Sequence, residues 1–333
     1  MIVAVTGATG RLGREVVSAL LAAGHRPRAI VMPDDPFVGH LGTGVEQVIA
    51  DVRDVEALRR AFAGADAVIH LAAVIRLAPD RDGRMAAINV QGTANMCAAA
   101  RANGVSRVVH CSSHHALERF PLSEPLHEER PLALTERCDY HRSKAQAEQI
   151  VLEQVKEGLN AVIVSPGSLM GPGDHEPSLL GRSLRDLALG RLPALVETTS
   201  DYVDVRDVAQ AVVRALAQGR TGERYLLGGH VLDMRALAGA VARHSGRRAP
   251  RVVLPLSLVR PLVPFARLGA WMQGKEPFLT SELLRACESN SVVSHEKAER
   301  ELDFSLRPFE VTLRDTLTWF EEQDRAQANP AQK

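Results

Sequence analysis

The sequence predicts an α/β fold: a doubly wound parallel sheet followed by a smaller C-terminal lobe. Three observations carry that prediction. Residues 2–21 read as a strand, a glycine-rich turn and a helix. Short apolar runs then alternate with segments of helical periodicity as far as Pro166, the order expected of parallel strands joined by right-handed crossovers. From about Gly167 that alternation loosens into helices interleaved with short strands.

Ile2 to Val5 is an apolar run suited to a strand buried on both faces. Thr6 to Gly10 make a tight turn, and from Arg11 onward Leu12, Val16, Val17, Leu20 and Leu21 share one helical face. A strand entering a helix in this way aims the first helical N–H groups at one point. With the positive end of the helix dipole they suit a pyrophosphate. Gly7 permits the turn, Gly10 lets the backbone approach phosphates, and Gly13 lets helix and strand pack closely. The spacing is Gly7-x-x-Gly10-x-x-Gly13. Alone it also fits a turn with no ligand; its place on a strand–turn–helix favours a dinucleotide site.

The second strand spans Pro27 to Met32. In doubly wound folds the residue closing this strand reads the adenosine ribose: an acid suits NAD, an arginine suits NADP. Met32 stands there, followed by Pro33, Asp34 and Asp35. The missing cation and the two nearby carboxylates favour NAD over NADP. Asp34 and Asp35 also fit plain turn residues, and a phosphate contact from Arg11 would reverse the preference. Val45 to Ala50 reads as a third strand, and a helix starting in residues 51–54 runs to Phe62. Asp51 is either the cap of that helix or a partner of the adenine amino group. Ala67 to Ala73 is a fourth strand ending in small residues, which let a flat cofactor lie against the backbone; His70 within it reads as a satisfied core histidine.

A helix opens at Asn89 and runs to Ala102. Ser106 to Ser113 is a fifth strand ending in two hydroxyls, and Leu117 to Cys138 is a surface loop. A long helix covers Tyr140 to Val155, and Ala161 to Val164 is a sixth strand. Beyond it, helices are expected near residues 179–190, 205–217, 234–245, 257–272 and 281–286. The expected division is a cofactor-binding domain over residues 1–166, to which the helix at 205–217 returns. A substrate lobe over 167–322 and a tail over 323–333 follow.

The 333 residues are 45% hydrophobic and 24% charged, an ordinary globular composition. Lys+Arg and Asp+Glu are both 40, so no global field favours nucleic acid or an anionic membrane. No signal-like segment and no apolar run of about 18 residues is present. Cys97, Cys111, Cys138 and Cys287 show no C-x-x-C spacing; they read as reduced thiols of a cytoplasmic protein, with no metal site.

Tyr140 and Lys144 lie one turn apart on one helix face. A phenol titrates near ~10, too high for proton exchange at neutrality, and a neighbouring ammonium lowers that value. Lysine also suits a ribose, and a serine at the end of the preceding strand suits a carbonyl or alcohol oxygen. Tyrosine then exchanges the proton while a nicotinamide exchanges hydride.

With these motifs together the chain resembles the extended short-chain dehydrogenases/reductases, also called the NAD-dependent epimerase/dehydratase family. The resemblance runs from residue 1 to about 320. It rests on Thr6-Gly-Ala-Thr-Gly-Arg-Leu-Gly13, Asp51-Val52, His70-Leu-Ala-Ala73, Asn89-Val-x-Gly-Thr93, Ser112-Ser113, Tyr140-x-x-x-Lys144, and Pro166 with Gly171-Pro-Gly-Asp174. It implies a Rossmann-type domain with Tyr140 as acid/base and Lys144 as its ribose-binding partner. Ser113 matches the catalytic hydroxyl, with Ser112 as fallback. Gly7, Thr9, Gly10, Arg11, Leu12 and Gly13 would hold the pyrophosphate and Met32 would face the ribose. Asp51 and Val52 match the adenine contacts, Leu71, Ala72 and Ala73 line the cofactor, and Pro166 matches a proline beside the nicotinamide. Asn89 and Asn95 match family asparagines, read as structural. His114 and His115 either reach the substrate or are loop residues at the mouth of the site.

Family enzymes acting on nucleotide sugars carry an arginine before an aromatic in the segment matching residues 200–205; Ser200 stands there. Loss of a guanidinium at a diphosphate counts against such a substrate, unless Arg182, Arg185 or Arg191 compensates. Residues 252–272 are strongly apolar with three prolines and two arginines, reading as a packed wall of the small lobe, the lining of an apolar pocket or a face touching a membrane surface. Both features fit the branch resembling dihydroflavonol reductases and hydroxysteroid dehydrogenases. The expected activity is an NAD(P)-dependent carbonyl reductase or alcohol dehydrogenase acting on a mainly apolar small molecule. The alternatives are a nucleotide-sugar epimerase or dehydratase, and a non-catalytic cofactor-sensing protein. Relatives dimerise through helices matching residues 89–102 and 140–155, so the resemblance also allows a homodimer.

Overall fold

The computed structural model describes residues 1–264, 284 and 292–328. In chain order its strands and helices begin with β1 (Ile2–Thr6), α1 (Arg11–Ala22), β2 (Arg26–Val31), β3 (Glu46–Ile49), α2 (Val55–Ala61) and β4 (Ala67–His70). Next come α3 (Gly92–Ala102), β5 (Arg107–Cys111), α4 (Asp139–Lys156), β6 (Ala161–Pro166), β7 (Ser168–Met170), α5 (Leu179–Ala188), β8 (Ala194–Val196) and β9 (Thr199–Asp204). The chain continues through α6 (Val205–Ala217), β10 (Arg224–Leu227), β11 (His230–Asp233), α7 (Met234–Ser245), β12 (Val252–Leu254) and α8 (Leu256–Val259). Helices α9 (Glu296–Leu302) and α10 (Phe309–Ala328) follow.

Two compact units result. The first is Met1–Gly167 with Val205–Gly228 and Val293–Ser305. Its seven strands run parallel in the order β10-β6-β5-β4-β1-β2-β3. The chain starts in the middle, moves outward through β2 and β3, then returns to the other side of β1 with β4. The order therefore reverses between β1 and β4, and such a reversal opens a crevice at the carboxyl ends of the two strands. Helices α2, α3 and α4 cover one face through Leu58, Phe62, Met96 and Val151, all fully buried. A side chain buried in this way stabilises the fold by about 1.5–3 kcal/mol. Helices α1 and α6 pack together in the same unit.

The second unit is Ser168–Asp204 with Gly229–Val292 and Leu306–Lys333. It holds a small mixed sheet, β11-β9-β7, and a parallel pair, β12-β8. Its core joins Leu184, Leu187, Leu195, Leu237, Val241, Phe309, Leu313 and Leu317. Ser178 caps α5 and Asp233 caps α7 through the first-turn N–H groups.

Several elements differ from the sequence reading. Asp54, not Asp51, caps α2, accepting from the N–H groups of Glu56 and Ala57. Asp51 instead accepts from the Arg53 N–H at 2.8 Å and from its guanidinium at 2.9 Å. The helix expected from Asn89 is preceded by a π-turn over Ala86–Gln91. Residues 293–305 belong to the first unit: Val293 bridges Leu126, and α9 buries Ala298 and Leu302. The supposed tail is helical as far as Ala328, and Asp324 in it pairs with Arg185 at 2.5 Å. Of the apolar stretch 252–272, β12, α8 and a short 3-10 turn at Arg260–Leu262 are seen; its remainder and the helix expected at 281–286, apart from Leu284, lie outside the described residues. Among the described residues no helix is long and apolar enough to cross a membrane.

Candidate active site

The crevice begins at the glycine turn. Gly7 has φ +68°, and a Cβ there would lie 2.8 Å from the Ala72 nitrogen, so the turn and the segment after β4 are in backbone contact. At Gly13 a Cβ would lie 2.1 Å from the Gly7 carbonyl oxygen and 2.7 Å from Ala8. Both obstacles are backbone and cannot swing away. Gly13→Ala is therefore expected to cost about 1–3 kcal/mol of stability; an unchanged Tm would refute this packing role.

Helix α1 starts at Gly10 with no side-chain cap and no acid in its first turn. That end of the helix is thus built for an anion from outside rather than for a carboxylate of its own. Leu12 is buried and Arg11 half-buried at the same turn. Thr9 donates to Asp35 Oδ2 at 2.7 Å, and Asp35 Oδ1 accepts the Phe37 N–H at 2.9 Å. Asp35 is therefore a turn residue and also a latch on the glycine turn. Met32, just past β2, is 43% exposed, and Asp34 has φ +58°. Val52 is buried against Gly92, and its carbonyl accepts from Asn95 Nδ2 at 2.9 Å.

His70 closes β4 and fixes the shelf beside the turn. Thr93 Oγ1 donates to the Asn89 carbonyl at 2.7 Å, so toward His70 Nε2, 3.2 Å away, it accepts. Nε2 then carries the ring proton, and Nδ1 accepts from Thr6 Oγ1 at 2.7 Å. Thr6 Oγ1 in turn accepts the Ala72 N–H at 3.3 Å. Asn89 holds Val74 from both sides, donating to its carbonyl at 3.0 Å and accepting its N–H at 2.7 Å. Burial, reinforced by the Lys144 ammonium, holds His70 down to about 3. It is a neutral, fully engaged core histidine.

Helix α4 brings Tyr140 and Lys144 under the end of β5. Glu136 accepts the N–H groups of Arg137 and Cys138 at the helix start, and Asn89 Nδ2 also donates to Ser143 Oγ at 3.0 Å. Tyr140 and Lys144 are both buried. Lys144 Nζ donates to the Cys111 carbonyl at 2.7 Å. The Ser113 hydroxyl lies close enough to the Tyr140 phenol to pull its titration down, and Ser113 Oγ accepts the His115 N–H at 3.2 Å. Ser112 is engaged elsewhere, donating to Glu148 Oε2 at 2.5 Å. The geometry thus separates two serines that the sequence left as first choice and fallback. Burial pushes Tyr140 up to about 12, with the Ser113 hydroxyl pulling the other way. The expected lowering by Lys144 is not seen, since that ammonium is tied to the Cys111 carbonyl and desolvation prevails. Lys144 itself is lowered by burial, opposed by the charges of Cys111 and Glu148.

The histidines beside this group were only partly legible. His114 Nδ1 lies 3.0 Å from the Pro166 carbonyl, joining the ends of β5 and β6. His115 stacks on His141 with centroids 4.2 Å apart and meets the Tyr140 ring edge-on at 6.3 Å. Sequence reasoning missed His141 and Glu148; their spacing of one and eight residues from Tyr140 on the same helix was the available signal. Gly7 is brought against Leu71 and Ala72, Tyr140 and Lys144 lie together at the end of β5, and Asp51 pairs with Arg53.

A family model described as the NAD dependent epimerase/dehydratase family matches residues 3–228. The chain is 31% identical over 322 residues to sterol demethylase protein B of Methylococcus capsulatus, covering 96% of this chain and 98% of that protein. It is 28% identical to a putative dihydroflavonol 4-reductase of Synechocystis, over 95% of this chain and 94% of that one. A solved nucleoside-diphosphate-sugar epimerase from Pseudomonas aeruginosa superposes with a TM-score of 0.81 at 28% identity, covering 97% of this chain and 98% of that chain.

Proposed function

The chain belongs to the NAD-dependent epimerase/dehydratase family of extended short-chain dehydrogenases/reductases, and from that premise we propose that it interconverts a ketone or aldehyde and an alcohol on a mainly apolar small molecule. The single observation that carries this reading is that Tyr140 and Lys144, both buried one turn apart on α4, are held at the end of β5 by the bond from Lys144 Nζ to the Cys111 carbonyl, two residues before Ser113.

The cofactor is a nicotinamide dinucleotide. The uncapped start of α1 and the side-chain-free cradle of Gly7 and Gly13 fit its pyrophosphate. In this reading Gly7, Thr9, Gly10, Arg11, Leu12 and Gly13 hold the phosphates. Asp51 and Val52 hold the adenine, and Leu71, Ala72 and Ala73 form the shelf. Lys144 and Tyr140 hold the nicotinamide ribose and Pro166 borders the ring. Bound there, the nicotinamide supplies or accepts hydride. Tyr140 holds the proton at its phenol oxygen, and because that phenol is neutral at pH 7 it is ready to protonate a carbonyl oxygen. Ser113 orients that oxygen. The first of the two units is the cofactor domain and the second the substrate lobe. A cytoplasmic homodimer belongs to the same reading.

Asp35, fixed on the glycine turn through Thr9, adds a carboxylate just past the end of β2, which supports NAD. Met32→Arg is expected to shift the NADPH-to-NADH affinity ratio about tenfold toward NADPH; an unmoved ratio would show that Met32 does not face the ribose.

For the substrate, the names of the two curated relatives carry a sterol and a dihydroflavonol. Two of the three arginines offered as replacements for the missing guanidinium at Ser200 are paired, Arg185 with Asp324 and Arg191 with Asp186. The epimerase likeness keeps a second reading, hydride cycling on a retained NAD. One experiment separates them: release and assay nucleotide from purified protein, titrate NADH and NADPH, then follow NAD(P)H oxidation with a panel of apolar carbonyls. Stoichiometric consumption supports the reductase; retained NAD with no net oxidation refutes it.

A further inference from the structure

We propose that Glu148 is a positioning residue: by holding Ser112 it fixes where Ser113, the next residue of the chain, stands relative to Tyr140, and it sets a fixed charge one helical turn beyond Lys144, with Arg224 as counter-charge. This rests on the assignment of Ser113, Tyr140 and Lys144 above.

Consecutive residues at the end of β5 are shared out along α4. The Cys111 carbonyl takes Lys144 at 2.7 Å and the Ser112 hydroxyl goes to Glu148 at 2.5 Å, with Ser113 next in the chain on the Tyr140 side. Lys144 and Glu148 are four residues apart, about 6 Å along the helix axis. Two neighbouring residues at the end of β5 are therefore tied to points one turn apart on α4, and the register of helix on strand follows from both bonds.

Glu148 is fully buried, and its second oxygen accepts from Arg224 Nε. Arg224, on β10, is itself fixed, since Nη1 donates to the carbonyls of Glu128 and Arg130. Glu128 in turn accepts the Leu226 N–H at 3.0 Å. Holding a helix in place does not require ions: well-packed apolar residues of the same volume do so without a desolvation cost. What apolar residues lack is a charge beside Lys144. The other ionisable groups that feel that ammonium are His70 on β4 and His110 and Cys111 on β5, and burial biases each of them to its neutral form. Cys111 and Glu148 are the two groups that favour a protonated Lys144; with the Cys111 thiol held neutral by burial, Glu148, paired with Arg224, is the one that α4 itself supplies.

The test reads Lys144 directly. The chain has five lysines, so lysine labelled at ¹³Cε gives five resonances, and Lys144→Arg identifies the one of interest. In Glu148→Gln its titration midpoint is expected to fall by about one pH unit, with NADH affinity lost at correspondingly lower pH. Since that variant leaves Arg224 buried without its partner, the paired replacement Glu148→Met with Arg224→Met is the second arm, with a smaller fall expected. A midpoint unchanged in both overturns the charge role. Ser112→Ala keeps the charge: it should leave the Lys144 midpoint in place while kcat falls about tenfold or more at nearly constant KM. Wild-type kcat in Ser112→Ala overturns the positioning role. The resonance needs no substrate, so a failed carbonyl panel would count against the proposed reaction and leave this measurement standing.

Discussion

Tyr140→Phe is expected to lower turnover by about 10²- to 10⁴-fold while NADH affinity stays within about threefold of wild type. The ring of Tyr140 packs with Met85 and Cys138, with Val74 and Leu77 alongside. Phenylalanine preserves that volume and removes only the phenol oxygen. The loss should therefore appear in kcat and not in the thermal midpoint. Because burial keeps the phenol protonated to about 12, carbonyl reduction should persist well into alkaline pH, whereas alcohol oxidation, which needs the phenolate, should rise with pH. Steady-state kinetics in both directions with a cofactor titration would check this. Wild-type turnover in the variant would remove Tyr140 from the chemistry.

The second large effect is acid sensitivity. His70 and His141 are held down to about 3 and about 4, in each case chiefly by burial. His110 and His114, also buried, are lowered for the same reason. In the unfolded chain a histidine titrates near ~6.5. Below that pH the unfolded state takes up protons that the native state refuses, so stability is full above about 6.5 and falls as the pH drops toward the folded values. Between pH 6.5 and 5 each such histidine removes about 2 kcal/mol. His70 and His141 together remove about 4 kcal/mol, a large share of the ~5–15 kcal/mol that a folded protein holds. The thermal midpoint should therefore fall steeply between pH 7 and 5, with proton uptake on unfolding. A midpoint flat over that range would mean that these rings are protonated in the native state.

Much of this was readable in the sequence because it was local. Strand–turn–helix periodicity and the glycine spacing around residues 2–13 predict β1, the turn and α1, and the four-residue step from Tyr140 to Lys144 predicts their shared helix face. The choice between Ser112 and Ser113 was not local, since it depends on Glu148 reaching across from α4 to β5. The cap of α2 was misjudged for a different reason. Asp51 and Asp54 are both competent acceptors, and only the extended backbone of Asp54 (φ −105°, ψ 102°) puts its carboxylate over the first helical N–H groups. Pairing of Tyr140 with Lys144 predicted a lowered phenol; the opposite direction follows from desolvation, which no spacing reveals. The return of residues 293–305 to the first unit depends on long-range packing, and no apolar run of their own announces it.

β4 ends at His70, yet the N–H groups of Ala72 and Val74 beyond it are bonded to Thr6 Oγ1 and Asn89 Oδ1. Side chains finish there what pairing between strands began. The path of residues 71–74 is consequently encoded at residues 6, 70, 89 and 93, well away from the segment itself. A homologue could keep Leu71-Ala72-Ala73 unchanged and still lose the surface they present if one of those four drifted. Divergence in this corner of the molecule is better followed through two threonines, a histidine and an asparagine than through the segment they hold in place.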